Sequence, residues 1–98
     1  MNDILNQTKD MYASRVSTER VEGVIVAEQY YVFPGTTLTV CALTLVNGHT
    51  VIGENACVSV EGWDVGRGRI ESRKRAVDKI WELEGYALRE RLAVIGGL

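Results

Sequence analysis

The sequence predicts an α+β fold: a small antiparallel sheet with an N-terminal helical segment and a long C-terminal helix. Three observations carry that expectation. Thr36–Val58 reads TTLTVCALTLVNGHTVIGENACV, two β-type runs joined by Asn47-Gly48. An Asn-Gly link between apolar-rich runs is a strong hairpin signal, because a type I′ turn needs φ > 0 at both central positions. Gly68, Ser72, Ala76 and Ile80 follow one another at i+4, while Val77, Trp81, Leu88 and Leu92 supply bulk; such a ridge lets a helix backbone lie close against a sheet. Tyrosine-rich Gln29–Phe33 stops at Pro34-Gly35, as a strand closed by a turn does.

Taken in order, residues 2–14 read as a weak helix, with Ile4, Leu5, Thr8, Met11 and Tyr12 at helical spacing and Asn2 or Asp3 as cap. Ser17-Thr18-Glu19 is a second start signal, followed by a short helix over 18–27, although Val24-Ile25-Val26 also suits a strand. A two-residue turn sets the hairpin register. It pairs Val46 with His49, Thr44 with Val51, Ala42 with Gly53, Val40 with Asn55 and Leu38 with Cys57. Leu43 with Ile52, Leu45 with Thr50, Cys41 with Glu54 and Thr37 with Val58 lie on the other face. Both faces then carry apolar residues, so the sheet wants a helix on one side and the N-terminal helix or a second subunit on the other. The same register sets Cys41 and Cys57 on opposite faces and predicts free thiols. Residues 59–65 form a loop, 66–91 the long helix, and Gly85 interrupts that helix where close packing or a kink would require it. The whole is one domain over 1–98, loose at 1–3 and 93–98.

Composition bounds the function. The chain has 98 residues, 46% apolar and 24% charged, with one proline and a net charge of −2, which describes a soluble globular domain. No apolar run approaches the roughly 18 residues of a membrane span. The start, MNDILNQTKDMY, lacks the basic and apolar regions of a signal peptide. With two cysteines and no export signal, a reducing cytosol is expected. From Gly66 to Lys79 six basic residues face Glu71 and Asp78, a local +4 against −6 elsewhere. A DNA- or RNA-binding protein needs a broader positive face; a small anionic ligand does not. The plain alternative is a solvated helix face laced with i,i+4 pairs.

Catalytic machinery is not visible. His49 sits beside a turn without a Cys, Ser or carboxylate at catalytic spacing, and Cys41 and Cys57 lack the company of a zinc site. Gly66-Arg67-Gly68 is too short for a phosphate loop, so no metal or cofactor is expected. What remains is a binding constellation. Arg75 and Lys79 are cations one helical turn apart, suited to a diphosphate. His49 and Trp63 offer rings on which a base could stack. The structural alternative makes Trp63 a loop plug in the core and leaves the cations solvated.

Tyr30-Tyr31, Phe33-Pro34-Gly35-Thr36-Thr37, Thr39-Val40-Cys41, Leu43-Thr44-Leu45, Asn47-Gly48, Gly53-Glu54, Ala56-Cys57-Val58 and the element IWxLEGY from Ile80 to Tyr86 together resemble a family of small phage and prophage proteins. The same motifs resemble the first type of Thoeris anti-defence protein, with which that family coincides or overlaps. The resemblance implies a sponge that binds cyclic ADP-ribose isomers, and in some members cyclic oligonucleotides, without cleaving them. It also implies dimers or higher homo-oligomers with pockets between subunits, in the host bacterial cytosol. By resemblance, the ring after the hairpin turn is His49, where phenylalanine is more usual. The paired helix cations best match Arg75 and Lys79, with Arg69 and Arg73 as the fallback pair, and Ser59 at the end of the second strand is placed to add a polar contact. The alternative reading is a small phage protein that inhibits a host protein through its exposed helix.

Overall fold

The computed structural model describes residues 15–96; the helix expected over 2–14 lies outside them. Ser17 opens the first described helix, α1 (Thr18–Gly23), and its hydroxyl accepts the Arg20 N–H at 3.0 Å. The helix ends at Gly23 rather than at residue 27. The branched residues Val24, Ile25 and Val26 disfavour further helix and pair well in a sheet, so the next strand starts earlier than expected. Strands β1 (Ile25–Val32), β2 (Leu38–Leu45) and β3 (Thr50–Ala56) form an antiparallel sheet in the order β1-β2-β3, and a single long helix, α2 (Val65–Val94), follows.

The hairpin forms, but its register is one residue away from the expected one. Leu43 pairs with Val51, Cys41 with Gly53 and Thr39 with Asn55. The loop is Val46-Asn47-Gly48: the Gly48 N–H donates to the Leu45 carbonyl at 2.8 Å, and the Leu45 N–H to the His49 carbonyl at 2.8 Å. Only Gly48 takes positive φ, at 90°, and no non-glycine residue does so among those described. This is a type I turn closed by a glycine bulge, not the type I′ turn, which would force Asn47 into positive φ as well. A one-residue slip exchanges the two faces of β3 relative to β2. Val51 and Gly53 therefore face the helix with Leu43 and Cys41, while Ile52 faces away and is 48% exposed.

Glycine at 53 explains why this register wins. A Cβ there would run into the Ser72 carbonyl oxygen and the Ala76 backbone nitrogen of α2, so only Gly53 lets the helix sit against the strand. The predicted ridge is the contact: Gly68, Ser72, Ala76 and Ile80 are all buried. Ala76 and Ile80 join Val21, Val24, Cys41, Leu43, Leu45 and Val51 in one core. Gly68 has the same role, because a Cβ on it would strike Thr39 Oγ1.

The Asp64 carboxylate accepts the Arg67 N–H at 2.8 Å and caps α2, which runs past the expected end at Arg91 to Val94. No described neighbour lies within 4 Å of a Cβ built on Gly85, so packing within the described fold does not require it. Cys41 and Cys57 are free thiols, although not for the reason expected. Continuing the alternation from Gly53, Cys57 falls on the same face as Cys41. It lies four strand positions beyond the Gly53 partner, roughly 13 Å along the strand and outside disulfide reach. Among the described residues, no helix is long and apolar enough to cross a membrane.

Candidate functional site

The buried ridge sorts the cations of α2 onto two flanks. Arg69 and Arg73 each follow a ridge residue, whereas Arg75 and Lys79 each precede one, so the pairs point to opposite sides of the helix. The flank holding Arg69 and Arg73 faces β1 and α1. There the Arg73 guanidinium contacts two carboxylates, Nη2 reaching Glu22 Oε1 and Glu28 Oε2, each at 3.0 Å. Its Nε donates to Glu28 Oε2 at 3.1 Å, and Nη1 to Glu22 Oε2 at 3.3 Å. The hydrogen bond from Arg73, reinforced by one from the Tyr30 hydroxyl, lowers the Glu28 carboxyl below its ordinary value. Burial, followed by that same bond to Glu28, raises the Tyr30 phenol. Arg69 lies over the Tyr30 ring, 5.1 Å from its centroid, a cation–π contact.

This flank carries as much negative as positive charge. An open pocket of about 350 Å³ beside it is lined by Glu22, Arg73, Lys74, Val77 and Asp78. Two acids among five lining residues do not favour an anion. A ligand phosphate at Arg73 would have to displace Glu22 and Glu28. Neither carboxylate was legible as a partner, because they are 51 and 45 residues distant in sequence.

The other flank is different. Arg75 Nη1 donates to the carbonyl of Glu54 at 2.8 Å, on the outer edge of β3. That contact satisfies one edge acceptor and leaves the remaining donors of the guanidinium toward solvent. Lys79, one turn further on, is exposed and has no ion pair among the described residues. The two form a cationic step along the sheet edge, with no carboxylate paired to either in the described structure.

The remaining expected residues do not converge on that step within one chain. His49 is exposed at the hairpin turn, its N–H bonded to Asn47 Oδ1 at 3.0 Å. Ser59 and Trp63 lie beyond the far end of β3, whose seven residues span about 23 Å. Trp63 is half-buried against the start of α2, where its Nε1 is buried beside Gly68 and Thr39 without a hydrogen-bond partner among the described residues. That placement matches the loop-plug reading of Trp63 rather than an open stacking platform. A single small ligand cannot touch both His49 and Ser59 of one molecule.

No curated protein and no solved structure matches the chain significantly. One family does. The sequence model of the phage protein (N4 Gp49/phage Sf6 gene 66) family matches residues 16–92, from the entry to α1 almost to the end of α2. The match spans the whole sheet-and-helix unit, and the chain belongs to this family of phage proteins.

Proposed function

We propose that the protein is a phage anti-defence sponge that binds and sequesters a cyclic nucleotide immune signal without cleaving it. The ligand is a cyclic ADP-ribose isomer, with cyclic oligonucleotides as a second class. The supporting observation is the Arg75–Lys79 step on the β3 edge, where neither cation pairs with a carboxylate among the described residues. Two cations one turn apart match two phosphate groups, and Arg75 is already oriented by its bond to Glu54. Because His49 and Ser59 are separated by the length of β3, both would contact one ligand only in a pocket shared between copies in a homo-oligomer. Sequestration needs slow release rather than general acid, base or metal.

Calorimetric titration with cyclic ADP-ribose isomers and with cyclic di- and trinucleotides, followed by mass analysis of the released ligand, tests this reading. Saturable binding with unaltered ligand is the expected result. Altered ligand makes the protein an enzyme, and absence of binding removes the sponge. A second reading, inhibition of a host protein through the exposed helix, is favoured by the solvent-facing Ile70, Leu83 and Tyr86. It predicts no binding in the same titration.

A further inference from the structure

The buried ridge of α2 continues past the core that it forms with the sheet. Ile80 is the last residue of α2 in that core. Two turns further on, at the same i+4 spacing, Leu88 is 6% exposed although it lies outside the core. Ala87, Arg91 and Leu92 beside it are half-buried, and Arg91 Nε is buried with no hydrogen-bond partner among the described residues. A buried leucine and a buried guanidinium nitrogen both require a cover. The orientation of α1 shows where the chain before it lies. Arg20 Nε donates to Glu84 at 2.9 Å, whereas Glu22, two residues later, meets Arg73 nearer the start of α2. Thus α1 runs antiparallel to α2, and the chain leading into it comes from the side of the distal end of α2.

Residues 1–14 have the length and the pattern of that cover. Ile4, Leu5, Thr8, Met11 and Tyr12 recur at helical spacing, a narrow apolar stripe broken by the hydroxyl of Thr8. Fourteen residues of helix span about 21 Å, against about 17 Å from Glu84 to Ile95. We propose that residues 1–14 fold back as a helix along the distal half of α2 of the same chain and bury Leu88 and Leu92. Equal steps from Arg15 and from Glu84 set Met11 level with Leu88, and Thr8 level with Arg91. The Thr8 hydroxyl then accepts from Arg91 Nε, so the polar member of one stripe meets the buried polar atom of the other. The open face of the sheet is the competing place for this segment. It lies on the far side of the sheet from α2, away from the direction in which the chain enters α1. The cover is independent of the cyclic-nucleotide reading, since it uses neither Arg75 nor Lys79.

Hydrogen exchange read by mass spectrometry on the full chain provides the first test, comparing the native protein with Leu5→Asp. In the native protein the amides of residues 1–14 and 84–95 should both be protected. Leu5→Asp should speed exchange about tenfold in both segments and leave the three strands unchanged, because the change is confined to one local unit. Unprotected amides at 1–14 in the native protein, or 84–95 unmoved by Leu5→Asp, would overturn the proposal. Cross-linking then locates the segment. Met11→Cys is combined with Leu88→Cys or, for the open sheet face, with Ile52→Cys, each with Cys57→Ser, and oxidised with glutathione disulfide. The Leu88→Cys pair should close within one chain and run at monomer mass on a denaturing, non-reducing gel. Faster closure of the Ile52→Cys pair would place the segment on the sheet, and a product of dimer mass would place it on another copy; either result overturns the proposal.

Discussion

At Gly53 and Gly68 the fold depends on the absence of a side chain. A methyl group at Gly53 meets α2 backbone atoms, which cannot rotate away as a flexible side chain could. Gly53→Ala should therefore cost about 3 kcal/mol or more, read by urea denaturation, because relief requires moving the helix off the strand. At Gly68 the first obstacle is the side chain of Thr39, fully buried and without a partner for its hydroxyl, so Gly68→Ala should be milder. A smaller loss at Gly53 than at Gly68 would contradict the observed register. Arg75 and Lys79 behave differently, because they lie on the surface of the fold. Arg75→Ala and Lys79→Ala should each weaken a bound diphosphate ligand by about 1.5–3 kcal/mol in calorimetry, with little change in thermal midpoint. Binding that survives the loss of both would move the site off the β3 edge. At the turn, His49→Phe should tighten binding if a base stacks there, since the larger apolar face gains contact area.

At the level of elements, Arg73 ties α2 to both α1 and β1 through Glu22 and Glu28, and Arg20 joins α1 to α2 again through Glu84 at 2.9 Å. The Glu28 carboxyl is held below its ordinary value of 4.5, chiefly by its bond to Arg73. A depressed folded value means that the unfolded chain takes up the proton first. The stabilisation is thus complete above about pH 4.5 and is lost as pH falls through the folded value. Acid titration of native and Glu28→Gln proteins should show a smaller loss of stability for the variant below that pH. Identical acid profiles would mean that this ion pair contributes nothing. The two cysteines report on the same packing. Cys41 is buried on the core face and its thiol is pushed up by burial, whereas Cys57 is half-buried beyond β3. A thiol reagent should modify Cys57 first in the native protein and both after unfolding without reductant. Equal native rates would show that the sheet opens at Cys41.

The described residues form two layers, the sheet and α2 on its inner face. α2 covers the inner face of β2 and β3, while Ile52 and the 55%-exposed Tyr31 face outward on the other. An exposed sheet face of this kind favours association. Light scattering is expected to report a dimer or larger species, and a stable monomer at micromolar concentration would remove the shared pocket. The chain extends over 53 × 31 × 20 Å, because α2 is longer than the sheet it lies on.

Local pattern alone determined the elements that depend on short-range chemistry. The i+4 ridge from Gly68 to Ile80 is buried as its spacing implied, Ser17 starts a helix, and Asn47-Gly48 sits in a hairpin turn. The motifs from Tyr30 to Tyr86 pointed to the phage protein family whose match covers 16–92. Tertiary structure decided the register. Asn-Gly is compatible with both a two- and a three-residue loop, and the choice falls to the strand position at which a glycine must meet the helix backbone. It likewise decided which cations remain available. Arg73 and Arg75 look alike in sequence, yet one is held by two carboxylates from other elements and the other by a single strand carbonyl. Those partners lie 21 to 51 residues away along the chain, at separations where no periodicity links them and only packing brings them together.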